Sequence, residues 1–316
     1  MEHLSYRTME HGKKLNKMIN NETVLITGEN GSLAKKIKHQ LKLLGYNVIT
    51  YTSKKKSSKK NSYYWNIEKK IINIEVLKKC DHIIHLSGFS IIKPWTKKNK
   101  KLMYDSRVLS SRLLLDECKK NKISVKTFIS ASAIGYYNEN TLTEHEENSD
   151  PGNSWLSKLA IDWEKSANKF NEIGARVINL RISLLIDKDS GFLNKLLPFM
   201  KIGIVPLVGE KENRFEYIDI DDAVNFVIYS INNSKINGPY NLASNNKINL
   251  FDFHKKITKS LNKKYLIIKI PNIIMKLILG KRFKIINSNI KVSSKKIINS
   301  GFQFKFPKII DIIKKI

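Results

Sequence analysis

The architecture of this chain follows from the run Thr23-Val24-Leu25-Ile26-Thr27-Gly28-Glu29-Asn30-Gly31-Ser32-Leu33-Ala34. Its first five residues are apolar or β-branched and stop at a glycine, which predicts a short buried strand. The apolar residues that follow recur at the spacing of an amphipathic helix, at Leu33, Ile37, Leu41 and Leu44. Gly45 ends that pattern, and Asn47–Tyr51 resumes a strand. The run therefore predicts a strand, a helix and a second strand in succession.

The turn between the first strand and the helix has small residues at three informative positions. Gly28 permits a tight turn, Gly31 lets the backbone approach a pyrophosphate, and Ala34 lets the helix pack closely on the sheet. Unpaired N–H groups and the helix dipole favour an anionic phosphate at this end. The context predicts a dinucleotide site, with a purely structural turn as the alternative. The candidate contacts are Thr27, Gly28, Asn30, Gly31, Ser32 and Leu33.

The end of the second strand bears on which dinucleotide is bound. An NAD site usually has an acidic residue there for the ribose hydroxyls, whereas an NADP site needs cations for the 2′-phosphate. The residues that follow this strand are Ser53-Lys54-Lys55-Lys56, without a carboxylate. They favour NADP over NAD and make Ser53 and Lys54 candidate contacts, although a lysine-rich chain can also produce such a run by chance.

Strands and helices continue to alternate along the chain. The predicted elements are a strand at Asp81–Leu86, a helix at Trp95–Lys120, a strand at Val125–Ser132, a helix at Ser154–Ile173 and a strand at Arg176–Ile182. Beyond Leu184 the units become shorter, with further strands predicted at Arg214–Ile218 and Pro239–Leu242. Strands separated by helices of this length imply a parallel sheet covered on both faces. The expected fold class is α/β, with one parallel sheet between two layers of helices.

Two further groups of small and polar residues follow predicted strands. Leu86-Ser87-Gly88 comes after one strand, and the run from Ser130 to Tyr137 comes after the next. Open α/β sheets form their ligand crevice at such carboxyl ends, so Leu86, Ser87, Gly88 and Ser130 are further candidate cofactor contacts. Hydroxyls at these positions can orient a carbonyl or alcohol, although each serine taken alone is more typical of a helix cap or turn.

Composition narrows the function classes. The formal net charge is +29, but the excess is lysine scattered along the chain, 50 Lys to 7 Arg, which predicts no specific nucleic-acid partner. No apolar run approaches the roughly 20 residues of a membrane span. Cys80 and Cys118 stand apart, which favours an intracellular, reducing compartment. Histidines, cysteines and carboxylates lack metal-ligand spacing, so no metal is expected.

From Val24 to about Ile313 the chain resembles an extended short-chain dehydrogenase/reductase of the NAD-dependent epimerase/dehydratase superfamily, and within it the YfcH-like epimerase family proteins. The matching motifs lie in order along the chain. They are Ile26–Ala34, Leu86-Ser87-Gly88, Trp95 with Asp105-Ser106-Arg107, Ser130–Tyr137, Asp162-Trp163-Glu164, Leu180-Arg181, Tyr217–Asp222, Gly238–Ala243 and Gly301–Phe304.

The polar, basic composition of residues 1–21 predicts a disordered extension. The resemblance implies a Rossmann-type doubly wound parallel sheet in an NAD(P)-binding domain over 22–183 and a smaller C-terminal α/β substrate-binding lobe over 184–316. The end of that lobe resembles the DUF1731 domain from about residue 265.

In this superfamily, catalysis uses an Asn, a Ser or Thr, and a Tyr and Lys four residues apart. The chain departs from that pattern. Ser132 occupies the Ser/Thr position, but Arg107 stands where Asn is usual and serves as a candidate for both catalysis and cofactor binding. If Lys158 is the lysine, the tyrosine position falls on Ser154. A serine hydroxyl is too weak an acid to replace a phenol, so Tyr136 or Tyr137 would have to take the acid/base role.

Three interpretations remain open at this point. The chain is an NADP-dependent oxidoreductase or epimerase for a carbonyl or sugar-type substrate, or it binds NADP without turnover as a regulator in an organelle or in cell division. In the third, Lys158 is only a surface lysine. The expected partner is a small-molecule substrate, and both a monomer and a homodimer are compatible with the sequence. The expected compartment is the cytoplasm, with a plastid or other organelle as the alternative if the N-terminal extension is a presequence.

Overall fold

The computed structural model describes residues 21–55, 60–139, 143–260 and 264–315. Lys56 and all but the last residue of the predicted N-terminal extension lie outside these ranges. The strands are β1 Thr23–Thr27, β2 Asn47–Thr52, β3 Ser62–Tyr64, β4 His82–His85, β5 Thr127–Ala133, β6 Arg176–Ile182, β7 Leu184–Asp187, β8 Ile204–Val208, β9 Tyr217–Asp219, β10 Gly238–Leu242 and β11 Leu266–Ile270.

The α-helices are α1 Ser32–Leu43, α2 Ile74–Leu77, α3 Lys97–Tyr104, α4 Ser110–Lys120, α5 Trp155–Asn168, α6 Gly191–Lys201, α7 Ile220–Asn232, α8 Leu250–Ser260, α9 Asn272–Leu279, α10 Phe283–Ile286, α11 Lys295–Asn299 and α12 Ile309–Ile313. Short 3₁₀ turns follow β5, α5 and α9, and a π-helical turn at Asp105–Leu109 joins α3 to α4.

Seven strands form one parallel sheet in the order β10-β6-β5-β4-β1-β2-β3. The chain runs outward from β1 to β3 on one side, then returns to β4 beside β1 and continues outward to β10 on the other. The carboxyl ends of β1 and β4 therefore flank the point where the strand order reverses, which is where open α/β sheets bind ligands. This topology confirms the predicted fold class.

Helices cover both faces of the sheet. On one face α1 and α7 pack on the central strands, with Ile37 and Phe226 fully buried, and on the other α4 packs around Phe128 and Phe170. The later strands form two small parallel pairs, β7 with β9 and β8 with β11. The second pair belongs to a separate apolar cluster around Phe253 and Ile257. No helix in the described ranges is long and apolar enough to cross a membrane.

The predicted elements differ from the structure in three respects. The strand predicted at Arg214–Ile218 begins later, because Arg214 forms only an isolated bridge with Asn249 and β9 covers Tyr217–Asp219. The helix predicted at Trp95–Lys120 starts later, because the Thr96 hydroxyl accepts from the Asn99 N–H and caps α3, and the π turn interrupts it. Four strands were not predicted, namely β3, β7, β8 and β11. Each has only three to five residues and pairs with one neighbour, so its apolar pattern is too short to distinguish from a loop.

Candidate functional site

The glycine-rich turn after β1 has two glycines with different structural requirements. Gly28 has φ +74°, and a Cβ there would lie 2.5 Å from the Leu86 carbonyl oxygen, so the turn packs directly on the end of β4. Gly31 has φ −66°, and the nearest atom to a Cβ there is the Gly28 carbonyl oxygen at 3.4 Å. The protein itself therefore excludes a side chain at Gly28 but not at Gly31. A glycine that the fold does not require leaves room for a ligand against the backbone.

The N-terminus of α1 has the features of an anion-binding site. Gly31 is the N-cap residue and supplies no side-chain oxygen, and the first turn of the helix contains no acidic residue. The first N–H groups of such a helix lack intrahelical partners and carry a partial positive charge. The Leu33 side chain is buried in the core and Asn30 lies at the surface. Of Leu33, only the backbone is thus placed to contact a ligand.

Thr27 connects this turn to the end of β4 through His85, a residue that the sequence did not indicate as part of the site. The Thr27 hydroxyl accepts from the N–H groups of Leu86 at 3.1 Å and Ser87 at 3.2 Å, which leaves its proton for His85 Nδ1 at 2.9 Å. His85 Nε2 then carries the ring proton and faces Ser110 Oγ and the Arg107 carbonyl oxygen. Burial lowers the pKa of His85 to about 4, so the ring is neutral. This network holds the turn and the end of β4 in register.

Glu29 is a second residue of the turn that sequence reasoning overlooked. Its carboxylate is buried and accepts from Thr50 Oγ1 at 2.9 Å and from Ser62 Oγ at 3.1 Å. Thr50 belongs to β2 and Ser62 to β3, so Glu29 fastens the turn to the neighbouring strands. Ser53 and Lys54, which follow β2, are exposed to solvent. The signal for Glu29 was its position between two glycines, which alone does not distinguish a buried tether from a solvated side chain.

Arg107 lies beside Gly88 on the π-helical turn. A Cβ on Gly88 would be 2.9 Å from an Arg107 guanidinium nitrogen, and the guanidinium carbon lies 4.9 Å from the centre of the Trp163 ring. Nη1 donates to the carbonyl oxygens of Phe89 at 2.9 Å and Met103 at 3.1 Å. Among the described residues no carboxylate pairs with it, and burial lowers its pKa to about 10. Arg107 thus orders the loop after β4 and places an uncompensated positive charge at the crevice.

Ser132 and Tyr136 meet around a buried ion pair. Arg181 donates to both carboxylate oxygens of Glu164 at 2.8 Å, and Ser132 Oγ donates to the same carboxylate at 2.7 Å. The Tyr136 ring covers the guanidinium, with its centre 3.6 Å from Arg181 Cζ. The buried Arg181 and Glu164 charges need each other and these hydrogen bonds, because burying an unpaired charge costs free energy. Glu164 and Arg181 therefore hold two of the predicted catalytic side chains in place, a role the sequence did not reveal.

Tyr137, the other tyrosine considered for proton transfer, is inside the protein. Its hydroxyl accepts from Arg181 Nη1 at 2.7 Å and donates to Asn241 Oδ1 at 2.7 Å. Burial raises the pKa of Tyr137 to about 12. Both hydrogen bonds are made to protein groups, so Tyr137 serves the structure of this region and Tyr136 is the phenol left near the crevice.

The remaining predicted residues separate from this group. Ser154 is the N-cap of α5, where its hydroxyl accepts from the Ser157 N–H at 3.1 Å, and the Lys158 side chain is exposed one turn later. Within the described residues Lys158 makes no side-chain hydrogen bond or ion pair. Ser130 Oγ is buried and donates to the Ala131 carbonyl oxygen at 2.9 Å. No cluster of three or more metal-ligating side chains occurs in the described ranges.

Comparison with known families gives two matches along this chain. The model described as the NAD dependent epimerase/dehydratase family matches residues 24–243. The model of a domain of unknown function, DUF1731, matches residues 270–316. The first match covers more than half of the chain.

Bacterial proteins are similar to this chain over nearly the whole of both sequences. Epimerase family proteins of Staphylococcus epidermidis and Staphylococcus aureus are each 28% identical over 288 residues, which cover 89% of this chain and 94% of theirs. Among solved structures, human epimerase family protein SDR39U1 with NADPH superposes with a TM-score of 0.83 at 19% identity, covering 93% of this chain and 98% of that one. UDP-N-acetylglucosamine 4-epimerase from Bacillus cereus superposes with a TM-score of 0.73 at 18% identity, covering 93% of this chain and 95% of that one. These structural likenesses show the shared fold.

Proposed function

The chain belongs to the NAD dependent epimerase/dehydratase family, and on that basis we propose that it is an NADP-binding oxidoreductase or epimerase for a carbonyl or sugar-type compound. The observation that carries the proposal is the uncapped N-terminus of α1 with open space over Gly31. The site residues fit a dinucleotide because the fold leaves Gly31 without a steric reason to be glycine, while backbone N–H groups there favour a phosphate. The human relative named above was solved with NADPH, which agrees with this assignment.

In this proposal the N–H groups of Ser32 and Leu33 hold the pyrophosphate, and Ser53 and Lys54 receive the 2′-phosphate of the adenosine ribose. Ser87 and Gly88 form the wall of the crevice on the β4 side. The Arg107 cation lies directly behind Gly88 and adds attraction for an anionic ligand. NADP preference rests on the exposed hydroxyl and ammonium groups after β2 and on Glu29 being turned into the protein by Thr50 and Ser62.

A bound nicotinamide ring supplies or accepts a hydride. The chain then has to hold the substrate oxygen and move a proton. We assign proton transfer to Tyr136, which is half-buried and held over Arg181, because Tyr137 has both hydrogen bonds satisfied inside the protein. Ser132 keeps a lone pair for a substrate hydroxyl while it donates to Glu164. Lys158, exposed on α5, is left without an assigned step.

A second function has a specific observation in its favour. If Lys158 is the superfamily's lysine, the tyrosine position falls on Ser154, which caps a helix, while Lys158 has no partner among the described residues. A chain that retains the dinucleotide turn but not the Tyr-Lys pair suits a protein that binds NADP without turnover and signals the bound state to a partner. The two functions make the same prediction for binding and opposite predictions for catalysis.

Titration with NADPH and with NADH tests the cofactor assignment. The parent protein is expected to bind NADPH more tightly. The double variant Lys54→Glu/Lys55→Glu is expected to weaken NADPH by about tenfold or more and NADH much less, since the variant replaces attraction for a phosphate with repulsion. Lys79→Glu/Lys120→Glu, which makes the same change in charge at exposed positions before β4 and β5, serves as the matched control. A parent that binds neither dinucleotide would overturn the proposal.

Turnover separates the two functions. NADPH oxidation is followed by absorbance over a panel of carbonyl and nucleotide-sugar compounds, with the parent and with Tyr136→Phe. An oxidoreductase should show turnover that Tyr136→Phe reduces by about 100-fold or more while NADPH affinity is unchanged. Tight NADPH binding with no NADPH oxidation, and with no epimer formed from any nucleotide sugar when the products are separated by chromatography, would favour the regulatory function instead.

A further inference from the structure

The C-terminal part of the chain has an extreme distribution of charge. Residues 253–310 contain 14 lysines and one arginine but no aspartate or glutamate. A second acid-free stretch, residues 30–67, has nine lysines, but residues 253–310 have the larger excess and account for about half of the net charge of +29. Where these cations are exposed, they favour an anionic partner.

Helix α9 lies in the middle of this region and exposes an apolar face. Ile273, Ile274, Leu277 and Ile278 fall at i, i+1, i+4 and i+5, which places them on one side of the helix. Their exposed fractions are 69%, 44%, 82% and 62%, and no residue of α9 is buried. Monomeric soluble proteins rarely leave a contiguous face of large aliphatic side chains in water. We therefore expect another molecule to cover this apolar face of α9.

Exposed apolar and basic groups surround α9, together with Glu210, whose carboxylate accepts from Asn272 at the start of the helix and pairs with Lys269. In β11, which precedes the helix, Leu266 and Ile268 are also exposed. Lys276 lies on the helix itself, and Lys281 and Lys284 follow it, all three exposed. At the other end of the segment, Arg282 donates to the Ile92 carbonyl oxygen at 2.8 Å, and the Ile92 side chain is 51% exposed. Arg282, which follows α9, therefore contacts the loop after β4, and that loop exposes a further isoleucine.

We propose that the face formed by Ile273, Ile274, Leu277 and Ile278, together with Lys276, Lys281 and Lys284, docks the protein on an anionic lipid membrane. Aliphatic side chains bordered by lysines are the composition of interfacial helices, which lie in the headgroup region and are drawn there by negative lipids. With eight residues, α9 is about 12 Å long and can lie on a bilayer but not cross it.

Other occupants fit the same face less well. Nucleic acid would be met by cations and stacking aromatics, whereas the exposed side chains of α9 are isoleucine and leucine. A second copy of the chain would bring two strongly positive regions together, which costs energy without an intervening anion. The anionic bilayer satisfies both the apolar face and the surrounding charge, so it is the occupant that the observations favour.

Vesicle flotation with the full chain tests the proposal. The parent is expected to float with vesicles of equal parts phosphatidylglycerol and phosphatidylcholine, to bind pure phosphatidylcholine weakly, and to be released partly by added salt. Leu277→Glu is expected to weaken binding by about tenfold or more, because it removes an apolar anchor and adds a charge of the wrong sign. Leu277 is 82% exposed, so unfolding midpoints should be unchanged.

Leu43→Glu is the matched control, since Leu43 is 59% exposed on α1, outside the basic region, and should leave vesicle binding as it is. Sedimentation equilibrium of the parent and of Leu277→Glu without lipid measures self-association. Failure of the parent to bind the anionic vesicles would overturn the proposal, as would equal loss of binding in Leu43→Glu. A parent dimer that Leu277→Glu converts to a monomer would assign the face to a second copy instead.

Discussion

The two glycines in the turn after β1 have different roles. Gly28 is required by the fold, whereas Gly31 is explained better by a bound ligand. Gly28 is constrained by its positive φ and by the Leu86 carbonyl oxygen, whereas Gly31 has an ordinary backbone conformation and open space beside it. A side chain at the first position strains the protein, and one at the second only occupies the space over the helix N-terminus. Substitution at the two positions should therefore affect different measurements.

Gly31→Asp is expected to fold with an unchanged unfolding midpoint and to weaken NADPH by at least about tenfold, because a carboxylate would occupy and repel the phosphate site. Gly28→Ala is expected to lower the free energy of unfolding by about 1–3 kcal/mol or more through backbone strain and the 2.5 Å contact. Isothermal titration and denaturant unfolding provide the two readouts. Unimpaired NADPH binding by Gly31→Asp would mean that the dinucleotide lies elsewhere.

Glu216 makes stability depend on pH. Burial raises its pKa to about 7, with Arg214 at 3.1 Å as its nearest opposing charge. The folded protein holds this proton more tightly than the unfolded chain, whose glutamate has a pKa near 4.5. The free energy of unfolding contributed by the protonated group is therefore complete below about pH 4.5 and declines as the pH rises to about 7.

Glu216→Gln should remove that decline, which amounts to about 2–3 kcal/mol between about pH 4.5 and 7. Denaturant unfolding at several pH values measures it. Glu212→Gln, at an exposed glutamate four residues before Glu216, is the control and should keep the pH dependence of the parent. If the parent and Glu216→Gln gave parallel curves, Glu216 would not be the titrating group.

At the level of secondary-structure elements, α7 joins the chain's last segment to the sheet. Asp219 caps the helix by accepting from the Asp221 N–H at 2.9 Å, as its position before an apolar periodic run predicts. The fully buried Asp222 carboxylate accepts from the N–H groups of Lys305 at 2.7 Å and Phe306 at 2.9 Å. The Asp222 side chain therefore accepts the backbone hydrogen bonds that a neighbouring strand would otherwise accept from residues 305 and 306.

Asp222→Ala is expected to lower the free energy of unfolding by about 2–4 kcal/mol, since the backbone N–H groups of Lys305 and Phe306 lose a charged acceptor. The segment around Lys305 and Lys308 should also become sensitive to trypsin, which limited proteolysis would detect. Asp116→Ala, at an exposed position on α4, should change neither measurement. Equal trypsin resistance in Asp222→Ala and the parent would show that other contacts hold the segment.

Over the whole molecule, the distribution of charge is independent of the features that define the fold and the family. The lysine excess does not affect the sheet order, and its longest acid-free stretch is residues 253–310. The NAD dependent epimerase/dehydratase motifs are read from residues 24–243, and the DUF1731 match begins at residue 270. The part of the chain that defines the family is therefore distinct from the part that exposes α9.

The amino-acid sequence by itself determined the alternation of strands and helices, the glycine-rich turn and the family resemblance, because period, turn chemistry and motif order are local properties. Only the tertiary structure decided that Glu29 and His85 hold the turn, that Ser132 faces the Glu164–Arg181 pair and that Tyr137 is buried. Each of these contacts joins residues far apart in the chain or on different elements. Burial and hydrogen-bond partners depend on how elements pack, and spacing along the sequence does not specify that packing.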